Sequence, residues 1–289
     1  MQELAKSIMP LLSEHGNNIT LNEKLFARIK AVYDQKDQAN LTPEQNKLLE
    51  KVYNSFVRSG ANLEGEAKEQ YRTLSKELSL LTLQFGENNL KETNDYKLVL
   101  TDPAQLAGLP QSAIDAAAET AKEKGVEGWV FTLQAPSYSP FMTYASNRDL
   151  RCKLYMAYNT KCTHDNETNN LEIVKKLVNT RLAIAQLLGY SSFAEYNLQE
   201  RMAENSGNVY KLLDQLLDAY TPTAKQEYAE VEALARQLEG SDFTVMPWDW
   251  SYYSHKLKDQ KFQIDDEMLR PYFELSKVKE GVFGLATRL

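Results

Sequence analysis

Between residues 64 and 92 the apolar side chains Tyr71, Leu74, Leu78, Leu81 and Phe85 recur at spacings of three, four, three and four. That rhythm puts them on one side of a single long helix, in the manner of a coiled-coil seam. A seam this long must be covered by other elements, and most of the chain is written in the same period. "TLNEKLFARIKAVYDQ" opens with Thr20 as N-cap and Glu23 three positions on, a capping-box pattern, and sets Leu25, Ile29 and Val32 on one face. "TPEQNKLLEKVYNSFVRSG" starts at Thr42 with Pro43 in the first helical position and stops at Gly60. The short connection after Gly60 predicts an antiparallel hairpin between this helix and the long one. Later, "NLEIVKKLVNTRLAIAQLLGY" carries Ile173, Leu177, Ile184 and Leu188 on a broad face and stops at Gly189. "NVYKLLDQLLDAYTPTAKQEYAEVEALARQLEG" is expected to kink or break at Pro222.

The helical period lapses once. Residues 96 to 100 in "NDYKLVLTD" read as a strand, "LPQSAIDAAAETAKEKG" as a helix, and "GWVFTLQAP" as a second strand closed by Pro136. The fold class is therefore mostly α: a multi-helix lobe with a small strand–helix–strand insertion near 94–145. Gly (12) and Pro (9) are too scarce in 289 residues for a turn-rich all-β fold. The net charge of -7 comes from interleaved acids and bases with no basic stripe, which argues against a nucleic-acid partner. No apolar run approaches the roughly 18 residues that span a membrane. The opening "MQELAKSIMPLLSEHG" is helical in character and has too short an apolar run for a signal peptide. No fixed-period repeat marks a solenoid. The last residues, "GVFGLATRL", are apolar and helical without a stop, so the chain is expected to be a piece of something longer.

Local chemistry is sparse. Cys152 and Cys162, ten residues apart, match no zinc-ligand spacing and read as reduced thiols. His15, His164 and His255 read as surface or capping residues, since none has a second histidine at i+4 and H-E-x-x-H is absent. Asp265, Asp266 and Glu267 stand where a helix begins, as first-turn acids do. Gly281 and Gly284 follow no strand and make no phosphate loop. No catalytic residue and no metal ligand is identified.

One stretch stands apart. "FTVMPWDWSYYSHKL" holds two of the three tryptophans, and Pro247 bars a helix before it. A helix from Trp248 places Trp248, Tyr252 and His255 on one face and Trp250, Tyr253 and Leu257 on its neighbour, with Asp249 in the first turn beside the exposed amides. Two apolar faces imply packing on two sides, with a ligand-facing wall as the alternative. No polar constellation is evident around the cluster. Trp248, Asp249, Tyr252 and Tyr253 are the candidates for a substrate cleft or lobe junction.

The residues from "VMPWDWSYYSHKL" to "RPYFELSKVKEGVFGLATRL" resemble the thimet oligopeptidase family of zinc peptidases, and most of all its bacterial peptidyl-dipeptidases. "ELSLLTLQFGENNLKET", "FTLQAPSYSPFMTYASNRDLRCKLYMAY" and "TRLAIAQLLGYSSFAEYNLQERMAE" resemble that family in the same order. The resemblance implies a helical protein with two lobes flanking a deep channel and one zinc at its base. It also implies that the zinc motif and the substrate-gripping tyrosines lie C-terminal to this chain and that a helical segment precedes Met1. Segments 1–93 and 146–240 would then be channel wall. Segment 94–145 would lie next to the catalytic lobe, and 241–289 would be the aromatic lead into it. The expected activity of the parent is zinc-dependent hydrolysis of short peptides with release of C-terminal dipeptides, the chain alone being inactive without the missing C-terminal catalytic segment. A cytoplasmic location is expected, with the periplasm open if an N-terminal segment precedes. The competing reading is a self-contained helical scaffold or protein-binding module, and an H-E-x-x-H in the reading frame beyond Leu289 would separate the two.

Overall fold

A computed structural model describes residues 2–263 and 266–289. The N-terminal part runs through α1 (Gln2–Thr20), α2 (Glu23–Asp34), α3 (Pro43–Arg58) and the long α4 (Gly65–Asp95). Strand β1 (Leu98–Leu100), α5 (Gln111–Glu123) and strand β2 (Trp129–Phe131) follow, then α6 (Ala135–Tyr144) and α7 (Arg148–Asn159). Next come α8 (Leu171–Leu187), α9 (Phe193–Leu198) and α10 (Ser206–Glu239). A 3-10 turn at Pro247–Asp249 leads into α11 (Trp250–Phe262), α12 (Asp266–Leu269) and α13 (Leu275–Arg288). The protein is mostly α, with one two-stranded sheet among the described residues. No helix among them is long and apolar enough to cross a membrane. The chain divides into two compact units, Met1–Lys91 with Cys162–Leu216, and Glu92–Lys161 with Leu217–Leu289.

In the first unit the cap of α2 is Asn22, whose side chain accepts from the Leu25 amide, and not Thr20. Thr20 stays inside α1, donating its hydroxyl to the Gly16 carbonyl, and Glu23 goes to the buried Lys68 at 2.8 Å. Thr42 does close a full capping box with Gln45, with Pro43 in the first turn. Gly60 follows α3 at φ +86°, where a Cβ would sit 3.0 Å from Leu63 Cδ1. Helix α3 pairs closely with α2, the helix before it. Aromatic side chains hold this pair together, because Tyr33 and Phe26 of α2 stack on Tyr53 of α3 at 3.8 and 5.8 Å. The α4 seam is covered by α8: Tyr71, Leu74 and Leu78 pack with Leu21 and Ile184, and Leu81 with Ile173 and Leu177. Phe85, the last member of the seam, is exposed.

In the second unit β1 and β2 pair antiparallel, with Leu98 opposite Phe131, Val99 opposite Val130 and Leu100 opposite Trp129. Both strands are shorter than the sequence suggests. Pro136 lies in the first turn of α6 rather than closing β2. A proline that cannot serve a strand is well suited to a helix start, where its missing N–H would have no partner anyway. Leu98, Leu100, Phe131 and Leu133 pack against Ala117 of α5, Phe141 and Met142 of α6 and Leu154 of α7. A second cluster joins Val231 and Ala235 of α10 to Val245, Tyr252 and Tyr253. Helix α10 runs unbroken through Pro222. One lost donor in so long a ladder weakens the helix locally without ending it.

Candidate functional site

The helix of the aromatic cluster begins two residues later than the periodicity suggests, because Pro247–Asp249 form a 3-10 turn and α11 starts at Trp250. Tyr252 and Tyr253 are both buried on α11, so the two-sided packing is present. Tyr253 meets Phe243 and Tyr252 edge-on, at 5.5 and 5.0 Å. Its hydroxyl donates to Glu239 Oε1 at 3.0 Å. Burial, then the Glu239 carboxylate, push the Tyr253 phenol well above its ordinary range. Trp248 is half-buried, lying edge-on to Tyr155 at 6.2 Å and packed against the core of α5, α6 and α7. Trp250 stays largely exposed and stacks on Tyr228 of α10 at 5.7 Å. His255 lies edge-on to Tyr144 at 4.7 Å.

Asp249 is the polar centre of this corner and is completely buried. Its carboxylate does not cap α11, which has no side-chain cap bond. One oxygen accepts from Arg151 Nη2 at 2.8 Å and from Arg148 Nε at 3.1 Å. The other accepts from Arg148 Nη2 at 2.7 Å and from the Met246 amide at 3.0 Å. Both arginines stand at the start of α7, which Asn147 caps through the Leu150 amide. Each also grips main chain: Arg148 donates to Thr244 O, and Arg151 to Ala145 O, Ser146 O and Trp248 O. Arg148 lies over the Phe243 ring and Arg151 over the Tyr252 ring, at 4.4 and 4.1 Å. Burial raises the Asp249 pKa, but hydrogen bonds from Arg148, Met246 and Arg151 outweigh it and hold the carboxyl below its ordinary value. The same pairing raises Arg148.

A carboxylate with four donors directed at it has little basicity to spare, and the arrangement fastens 244–249 onto α7. The expectation that no polar constellation surrounds the cluster is overturned by Arg148 and Arg151. Their only local trace is the pair of arginines in "NRDLR", three apart and so on one helix face. Their partner lies about a hundred residues on, beyond the reach of periodicity.

The described residues do not fit a metal centre: no three His, Cys, Asp or Glu side chains among them are grouped so as to hold an ion. His15 lies within α1, His164 in the loop after α7, and His255 on α11. Cys162 is buried and Cys152 half-buried. Glu267 accepts from Ser112 at 3.0 Å and pairs with Arg270, while Asp265 lies outside the described residues.

The fold and this corner define a helical scaffold locked by a buried ion cluster. Residues 141–289, which include the whole corner and just over half of the chain, match Peptidase family M3, and the chain belongs to that family. Oligopeptidase A of Haemophilus influenzae is 33% identical over 293 aligned residues, covering all of this chain and 43% of the relative. Dipeptidyl carboxypeptidase of Escherichia coli is 33% identical over 291 residues, with the same two shares. Saccharolysin of Saccharomyces cerevisiae is 27% identical over 283 residues, 95% of this chain and 39% of the relative. The chain thus spans less than half the length of these curated relatives.

Proposed function

We propose that the chain is the non-catalytic, channel-wall part of a zinc-dependent peptidase that hydrolyses short peptides and releases C-terminal dipeptides. One observation carries this reading. The chain aligns from end to end with proteins named oligopeptidase A and dipeptidyl carboxypeptidase, yet accounts for only 43% of their length. In this reading segments 1–93 and 146–240 are wall, and 94–145 and 241–289 lead towards the zinc lobe. Trp248, Asp249, Tyr252 and Tyr253 act by packing, and Arg148 and Arg151 hold the lead segment in place. Zinc would supply polarisation of the scissile carbonyl and an activated water, held by ligands outside these 289 residues. The place of action is the cytoplasm.

The test compares the 289-residue chain with the product of the gene's whole reading frame. Each is incubated with N-blocked penta- and hexapeptides, and products are read by mass spectrometry. The expected result is no cleavage by the 289 residues. The whole product should release C-terminal dipeptides, lose that activity to a chelator and regain it with zinc. Cleavage by the 289 residues alone overturns the assignment, as does a whole product without H-E-x-x-H. Cuts confined to internal bonds would leave an oligopeptidase and remove the dipeptide-releasing mode.

A further inference from the structure

The second unit carries a cleft of about 430 Å³, within the size range of small-molecule sites. It shares no lining residue with the arginine-held corner. The last turn of α4, one side of α5, the end of β2 and the start of α6 line it. Its floor is apolar and built from small groups: Ala113, Ala116 and Ala117 of α5, with Phe131 and Pro136. Three alanines leave open the volume that larger side chains would fill. One end is tied by Gln134 Nε2 donating to Asn94 Oδ1 at 2.8 Å.

The charge of the lining is one-sided. Among the described residues that form it, Lys124 alone is charged, and no carboxylate lines the cleft. The Lys124 ammonium reaches the Asn94 main-chain oxygen at 3.5 Å, the long limit of a hydrogen bond, so its charge is not neutralised there. Helix α6, ten residues long, begins at the rim with Pro136 and Ser137 in the lining and has no side-chain cap bond at its start. The positive end of its dipole is opposed by the negative C-terminal end of α4 at Thr93 and Asn94, so Lys124 is what sets the sign of charge in the cleft.

We infer that this cleft binds a small apolar carboxylate, its acid group at Lys124 and its apolar body over Ala116, Ala117 and Phe131. The same chemistry is offered by a free acylated amino acid and by the C-terminal residue of a short peptide. The inference does not rest on the peptidase reading, since it follows from the lining alone and its test measures binding, not cleavage.

The probes are N-acetylphenylalanine, its uncharged amide, and an acetylated tetrapeptide ending in phenylalanine. Each is titrated into the 289-residue chain labelled at alanine methyl groups, with Ala113, Ala116 and Ala117 read by NMR. The acid should give saturable shifts at these methyls. The amide should bind about three- to fivefold more weakly, as expected for one partly exposed ion pair. Lys124→Gln should remove the difference between acid and amide. Ala116→Leu, a substitution on an exposed helix position, should abolish the shifts at Ala113 and Ala117 while the methyl spectrum elsewhere shows an intact fold. Tighter binding of the tetrapeptide assigns the ligand to peptide ends, and equal or tighter binding of N-acetylphenylalanine assigns it to small carboxylates. Equal affinity for acid and amide overturns the inference. So does the absence of saturable shifts, or binding that survives Ala116→Leu.

Discussion

Asp249 holds one charge against two arginines with no exposure to water, and the energetics of that corner turn on it. Removing one partner of a buried ion cluster leaves the others charged and unpaired, which costs about 3–5 kcal/mol. Asp249→Ala is expected to lose stability in that range by urea unfolding, because Arg151 would remain buried without its carboxylate. Arg148→Ala should cost less, since the Arg148 side chain is 39% exposed and water can take over part of its role for Asp249. The cluster also sets an acid limit. The folded protein holds Asp249 below its ordinary pKa, so the unfolded chain takes up a proton at higher pH than the native one. Its contribution is therefore complete above about pH 4, the ordinary aspartate value, and is lost as pH falls through the lowered native value. Melting temperatures of the parent and of Asp249→Asn, measured from pH 7 downwards, should differ by a constant amount to about pH 4 and converge below it. A gap that stays constant to pH 2.5, roughly one and a half units below the ordinary aspartate value, would show that the carboxylate is not held by these donors.

Helix periods and stops were legible where their signals are local, as at Thr42, Gly60 and Gly189. Where two local signals competed, the structure decided by neighbours the sequence does not display. Thr20 and Asn22 both carry cap-forming side chains, and the one whose helix had already ended became the cap. The seam of α4 was plain, but its partner was not, since α8 lies about a hundred residues away. The aromatic half of the candidate site was visible in composition. The arginines were not, because a buried ion pair leaves no period. The β element shows the same limit. Gly128 looks like an ordinary turn glycine, yet it sits at φ +89°, and a Cβ there would lie 2.1 Å from the Leu100 carbonyl oxygen. Gly128→Ala should cost at least the roughly 1–3 kcal/mol of a strained backbone position and disturb the pairing of Leu100 with Trp129. Hydrogen exchange at the Leu98–Leu100 and Trp129–Phe131 amides, with the melting temperature, would check it. An unchanged exchange pattern would mean that the turn relaxes around the methyl group.

At the scale of the 289-residue chain, α13 is one of several helices, with α1 and α10, whose large apolar side chains are left uncovered. Leu275, Val278, Val282, Phe283 and Leu285 are all exposed, with Phe283 at 67%. They are spread over one short amphipathic helix, and contiguous apolar surface beyond a few hundred Å² is unusual on monomers. In water such a face gains by covering itself, at about 25 cal/mol per Å² of apolar area removed. The 289-residue chain is therefore expected to bind a hydrophobic dye and to associate as its concentration rises. Fluorescence of the dye and sedimentation velocity across a hundredfold concentration range would measure both. Val282→Glu with Phe283→Lys should reduce each, while leaving the melting temperature nearly unchanged because neither side chain is buried in the chain as described. A dye-silent monomer at all concentrations would mean that α13 folds back onto a surface of its own chain. A double variant that melts much lower than the parent would point the same way, because it would show the face to be packed in solution.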